Sequence, residues 1–166
     1  MTSDNYANPD ILVDGQWLEN HIDDPNVRIV DCDMFDSYQR AHIRGAVGIK
    51  VHHYIKHPKY SENSTEYPWV AEPEVVKELF EEMGIGDETI VVSYDSNGSL
   101  WAARFWWVLN YYGHTNAKVL NGGWKKWFAE GHHKREGEHH CFFQVYDINQ
   151  LDLFSLPLNL VPFLMQ

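Results

Sequence analysis

Between residues 10 and 132 short apolar runs alternate with longer stretches of mixed polarity, and the alternation predicts a chain of strands and helices. The first run, 11–13, reads as a short strand, and Asp14 is placed to cap a helix that carries Trp17 and Leu18. A second strand is expected over 27–32, followed by a short helical turn over 37–42. Gly45 then marks a turn before a further extended run, 46–51. Residues 52–70 are polar, hold Pro58 and Pro68, and read as an irregular loop. A helix over 72–83 has Pro73 in its first turn and closes at Gly84. Ile90 to Tyr94 lacks charge altogether, as a strand covered on both faces should, and 100–112 has the length and aromatic content of a core helix. A last strand, 117–120, leads through Gly122 and Gly123 into a helix, 124–130, that stops at Gly131. Strands that alternate with helices imply an α/β fold, a mostly parallel sheet with helices on both faces. In such sheets ligands bind beyond the carboxyl ends of the strands.

The segment that joins the uncharged strand to the aromatic helix carries the most chemistry. Asp95, Ser96, Asn97, Gly98 and Ser99 form a five-residue link. Gly98 supplies left-handed backbone geometry, and Ser99 is placed as the N-cap of the helix. Successive backbone N–H groups of such a link converge at the helix N-terminus, which makes it an anion cradle. The reactive position at its start is held by Asp95.

Charge and composition narrow the partners. A formal net charge of −11 over 166 residues repels phosphate at long range, which argues against nucleic acid and anionic membranes. Cys32 and Cys141 form no C-x-x-C pair, so neither a disulfide framework nor a structural zinc is expected. The N-terminal residues have neither a basic segment nor an apolar core, and the expected setting is cytoplasmic. The ten histidines include the adjacent pairs His52-His53, His132-His133 and His139-His140. Neighbouring side chains point apart, so these pairs read as solvated loop and no metal site is expected. After Gly131 the pattern deteriorates. A domain over 10–132 is followed by a tail, 133–166, whose last part, 141–166, is apolar but aperiodic and broken by Pro157 and Pro162. That part is too broken to span a bilayer, which needs about 20 apolar residues.

Three stretches together carry a resemblance: RIVDCDMFDSYQRAHIRGAVGI from Arg28, YDSNGSLWAARFWW from Tyr94 and YGHTNAKVLNGGWKKWFAEG from Tyr112. In this order they resemble the rhodanese-like sulfurtransferases, and specifically the N-terminal domain of the two-domain thiosulfate or 3-mercaptopyruvate type. The resemblance implies a five-stranded, mostly parallel sheet flanked by helices, with a reactive loop after the fourth strand. In active domains that loop begins with a cysteine whose thiolate accepts a sulfane sulfur, carries it as a persulfide and passes it to a thiophilic acceptor. No cofactor is implied. The position matching the cysteine is Asp95, and a carboxylate oxygen cannot form a persulfide. Arginines that hold the anionic substrate in active relatives are matched here by Asp33 and Ser37, so positive charge is lost from the crevice. With Asp31 these are the crevice neighbours of the cradle loop.

The resemblance therefore implies a family domain that is catalytically inactive alone, with no catalytic residue of its own. Its partner in relatives is a second rhodanese domain, which this chain lacks. The alternatives are a non-enzymatic module that holds a protein partner or self-associates, or a truncated product of a two-domain enzyme. For Asp95 itself, the carboxylate is expected to accept the loop amides' hydrogen bonds in place of a bound anion. An aspartyl nucleophile of the phosphotransferase kind would need a second Asp two residues on, where this chain has Asn97. If Asp31 and Asp33 face the crevice, strand alternation turns Cys32 the other way, into the core.

Overall fold

The computed structural model describes residues 8–49, 55–56 and 69–132. The tail 133–166, with Cys141 and the pair His139-His140, and most of the polar loop 52–70 lie outside the described residues.

Five parallel strands form one sheet in the order β1-β5-β4-β2-β3. They are β1 (Leu12–Val13), β2 (Val27–Asp31), β3 (Val47–Gly48), β4 (Ile90–Tyr94) and β5 (Ala117–Leu120). The helices are α1 (Gly15–His21), α2 (Phe35–Arg40), α3 (Pro73–Glu82), α4 (Leu100–Tyr111) and α5 (Gly123–Ala129). This is the parallel, helix-flanked sheet expected from the sequence. Alternation along the strands sorts side chains into two cores. Val30 and Val91 pack with Val76 and Leu79 of α3 and Phe105 and Val108 of α4. Ile29 and Val92 pack on the other face with Leu18 of α1 and Trp127 of α5. The central strands are therefore covered on both sides, which is why β4 tolerates no charge.

Several boundaries move for local reasons. Ile11 closes a 3-10 turn, Pro9–Ile11, so the first strand is only Leu12–Val13. The second strand ends one residue early at Asp31, although the Cys32 N–H still donates to the Tyr94 carbonyl at 2.8 Å. The short helix spans Phe35–Arg40 rather than 37–42, because the Met34 carbonyl already accepts from Ser37 and Tyr38, and Ala41 turns extended. Of the run 46–51 only Val47–Gly48 pairs with β2 among the described residues. Asp14 caps α1 as expected, accepting the Trp17 N–H at 2.8 Å.

His132 departs from the solvated-loop expectation. Its ring stacks on Trp127, Nδ1 lies 2.9 Å from Glu19 Oε2, and Nε2 lies 3.1 Å from Glu130 Oε2. The end of α5 is thereby fastened to α1, and a Cβ at Gly15 would overlap the imidazole. Periodicity cannot reveal such a contact, since Glu19 and His132 are 113 residues apart.

The strand order fixes where a ligand crevice can open. From β2 the chain passes to the neighbour on one side, β3, and from β4 to the neighbour on the other, β5. The switch point thus lies between β2 and β4, at whose carboxyl ends Asp31 and Asp95 emerge.

Candidate functional site: a cradle filled by its own carboxylate

β4 ends at Tyr94, and the chain reverses direction through Gly98 and Ser99, both in left-handed conformation at φ 72° and 67°. For Ser99 this geometry costs about 1 kcal/mol, and it persists because the surrounding hydrogen bonds over-determine the loop. The turn aims four backbone N–H groups at one point. Asp95 Oδ1 accepts from Asn97 and Ser99, and Oδ2 accepts from Trp101 and Ala102, all at 2.8 Å. An ionised carboxylate has about four acceptor sites, and here each is used. Asp95 is 1% exposed.

The convergence expected from the sequence is present, but the capping group differs. Ser99 stands at the N-cap position of α4 without a side-chain cap bond, and Asp95 caps the helix from the end of β4. A strand-end carboxylate thus occupies the place of an anion at a helix N-terminus. Its lone pairs are all engaged by amides and its surface is covered.

Two further contacts fix the loop. The Asp95 carbonyl accepts the Trp124 N–H at 3.0 Å, joining the cradle to the start of α5. Gly123 permits this approach, since a Cβ there would overlap the Asp95 carbonyl oxygen. Ser93 Oγ lies 3.2 Å from the Ala102 carbonyl and 3.1 Å from that of Lys118, between α4 and β5.

Beside the cradle the end of β2 supplies two more carboxyl groups. Asp33, 7% exposed, accepts from the Ser96 N–H at 3.0 Å and from Ser96 Oγ at 2.9 Å. Asp31, 2% exposed, accepts from the Asp33 N–H at 2.9 Å and lies 2.6 Å from the Tyr94 hydroxyl. That hydroxyl also accepts the Ile43 N–H at 2.9 Å, which ties the AHIRGA turn to the cradle strand. Burial pushes the Asp31 carboxyl up to about 7, against the opposing pull of the Tyr94 hydrogen bond. Ser37 stays with its own helix, accepting from Arg40 at 2.9 Å. Cys32 points away into the core with no exposed surface, and burial pushes its thiol up, so it is an inert buried group.

Asp95, Ser96, Asn97, Gly98, Ser99, Asp31 and Asp33 therefore share one end of the sheet, whereas Ser37 does not reach the loop. The sequence reading missed Tyr94 and Gly123. A tyrosine ending an otherwise apolar buried strand is a usable signal, because its hydroxyl must find a partner when buried. Among the described residues no group of three His, Cys, Asp or Glu side chains is arranged to hold a metal ion, and no helix is long and apolar enough to cross a membrane.

Comparison with known proteins agrees with this fold. The rhodanese-like domain family matches residues 14–130. The sulfur carrier protein TtuD of Thermus thermophilus is 35% identical over 127 residues, which cover 76% of this chain and 42% of TtuD. The putative thiosulfate sulfurtransferase SseA of Mycobacterium leprae is 35% identical over 126 residues, covering 75% of this chain and 40% of that protein. In the crystal structure of SseA from Escherichia coli, described as a 3-mercaptopyruvate sulfotransferase, the similarity has a TM-score of 0.60 at 27% identity, covering 72% of this chain and 48% of that one. The 3-mercaptopyruvate sulfurtransferase of Leishmania major gives a TM-score of 0.58 at 26% identity, covering 84% of this chain and 42% of that one. The chain spans less than half the length of each of these relatives. With the matched family covering four of the five strands and the loop that carries Asp95, the chain belongs to the rhodanese-like family.

Proposed function

We propose that this chain is the cysteine-lacking, N-terminal type of rhodanese domain from a thiosulfate or 3-mercaptopyruvate sulfurtransferase, and that it is catalytically silent alone. The observation that carries the reading is the Asp95 carboxylate, which takes four amide hydrogen bonds in the loop where the family's chemistry calls for a thiolate. Its hard oxygen cannot hold a sulfane sulfur, and Cys32 is fully buried in the core beneath α4, with no exposed surface. Asp33 at the mouth adds a penalty. A carboxylate 4–6 Å from a bound substrate anion costs roughly 1–4 kcal/mol, depending on the effective dielectric. Purified chain given thiosulfate and cyanide should produce no thiocyanate above buffer. Turnover that survives replacement of both cysteines would overturn the reading.

On this reading the working partner is a second rhodanese domain that brings the cysteine loop, in a cytoplasmic setting that keeps thiols reduced. Met34 after β2 and Leu100 after the cradle, 44% and 51% exposed, give the carboxyl end of the sheet an apolar rim suited to such a contact. A second reading, a non-enzymatic module that binds a protein or itself, draws on the outer side of α4. There Trp107 stacks on Tyr111, which is 62% exposed, and Arg104 lies over the Trp107 ring. Sedimentation analysis separates the two: concentration-dependent dimers lost in Trp107→Ser would favour the second reading, and a monomer at all concentrations would favour the first.

A further inference from the structure

The three carboxyl groups at the switch point are linked in series. Asp31 takes the Asp33 N–H, Asp33 takes both donors of Ser96, and Ser96 opens the loop that Asp95 holds from within. The groups facing Asp31 come from every element packed on it: Tyr94 from β4, Asp33 from the chain beyond β2, Asp95 from the cradle loop, and the Ile43 amide, acting through Tyr94, from the turn before β3. The charged groups that act on it, Asp33 and Asp95, both raise the cost of ionising it.

We propose that Asp31 is a proton-operated latch: protonated, it lets Asp33 hold Ser96 firmly, and ionised, it adds a third carboxylate charge to the cluster and loosens that hold. The Tyr94 hydroxyl donates to Asp31 Oδ2 at 2.6 Å, and because a protonated carboxyl keeps acceptor capacity, this contact survives in both states. What changes is charge, and it changes in a water-poor setting where repulsion between carboxylates is little screened. The strained element closest to this repulsion is the loop itself, with its two consecutive left-handed residues. Burial places the titration near neutrality, at about 7, so the latch would operate within the ordinary range of cellular pH. The inference stands or falls independently of sulfur transfer.

Amide hydrogen exchange on the full chain tests it, with protection factors corrected for the intrinsic pH dependence. From about pH 5.5 to about pH 8.5, protection of the Ser96 amide should fall about tenfold in the native chain while that of Val92 in the core stays within about twofold. In Asp31→Asn the Ser96 value should not move with pH. If that variant does not fold, Tyr94→Phe serves instead: removing a donor that favours the ionised carboxylate should shift the midpoint to higher pH. PH-independent protection at Ser96 in the native chain, an unchanged fall in Asp31→Asn, or an unshifted midpoint in Tyr94→Phe would each overturn the latch.

Discussion

Asp95→Asn should be a disruptive substitution although it keeps nearly every atom in place. Each carboxylate oxygen accepts two backbone N–H groups at 2.8 Å. An asparagine offers one oxygen, so either Asn97 and Ser99 or Trp101 and Ala102 would face an NH2 group that only donates. Two hydrogen bonds are lost and two donor pairs are forced together at the buried end of α4. Hydrogen bonds to a charged group contribute about 1.5–3 kcal/mol each, and two are lost, so the expected loss is roughly 3–6 kcal/mol. Asp95→Ala leaves all four amides without that acceptor but removes the donor clash, and its cavity is lined by N–H groups that water or a small anion can meet. Asp95→Asn should therefore be at least as destabilising as Asp95→Ala. At roughly 3–5 °C per kcal/mol for a domain of this size, both Tm values should fall by about 10–30 °C. Sulfate or formate should raise the Tm of Asp95→Ala, with a dependence on anion concentration that the native chain lacks. Urea denaturation with circular dichroism gives the free energies. An Asp95→Asn variant within about 0.5 kcal/mol of the native chain would refute the reasoning, because four charge-assisted bonds could not then be holding the loop.

Other perturbations probe neighbouring contacts. The folded chain keeps a proton on Asp31 up to about 7, whereas the unfolded chain releases it near the ordinary 3.8, so this group's contribution is full below about pH 4 and is lost as pH rises through 7. The stability of Asp31→Asn relative to the native chain should accordingly rise by about 2 kcal/mol between pH 5 and pH 8 in urea titrations, and a pH-independent difference would contradict it. Gly123→Ala should cost more than about 3 kcal/mol because its Cβ meets the Asp95 carbonyl, whereas Gly98→Ala, with open space around it, should cost only about 1 kcal/mol. Cys32 should resist alkylation in the native chain and react on unfolding, as peptide mass mapping would show; rapid native labelling at Cys32 would contradict its burial.

The fold was legible because its elements are marked locally. The uncharged run Ile90–Tyr94, Pro73 at the head of α3 and Asp14 ahead of α1 each act within a few residues of the signal they carry. Element ends were less legible, since the start of α2 depends on which carbonyl the Ser37 amide finds. At the site, the loop and its acidic residue were visible, but the identity of the capping group was not. Ser99 looks like the N-cap by position, and the competing acceptor reaches the helix from the previous strand. The Asp31–Tyr94–Ile43 bonds and the His132–Glu19 contact join residues far apart in sequence, and no periodicity encodes them. Gly123 reads as a helix opener, while its lack of a side chain answers to a carbonyl in the cradle loop, far away in sequence.

The central proposal is that the cradle is the family's reactive loop and that Asp95 in place of a thiolate-bearing residue withholds sulfur transfer. The most direct measurement incubates the native chain and Asp95→Cys with thiosulfate and with 3-mercaptopyruvate and maps any persulfide by mass spectrometry. The account predicts one added sulfur atom at position 95 in the substituted chain and none anywhere in the native chain. A persulfide on the native chain, or none on a folded Asp95→Cys, would contradict it.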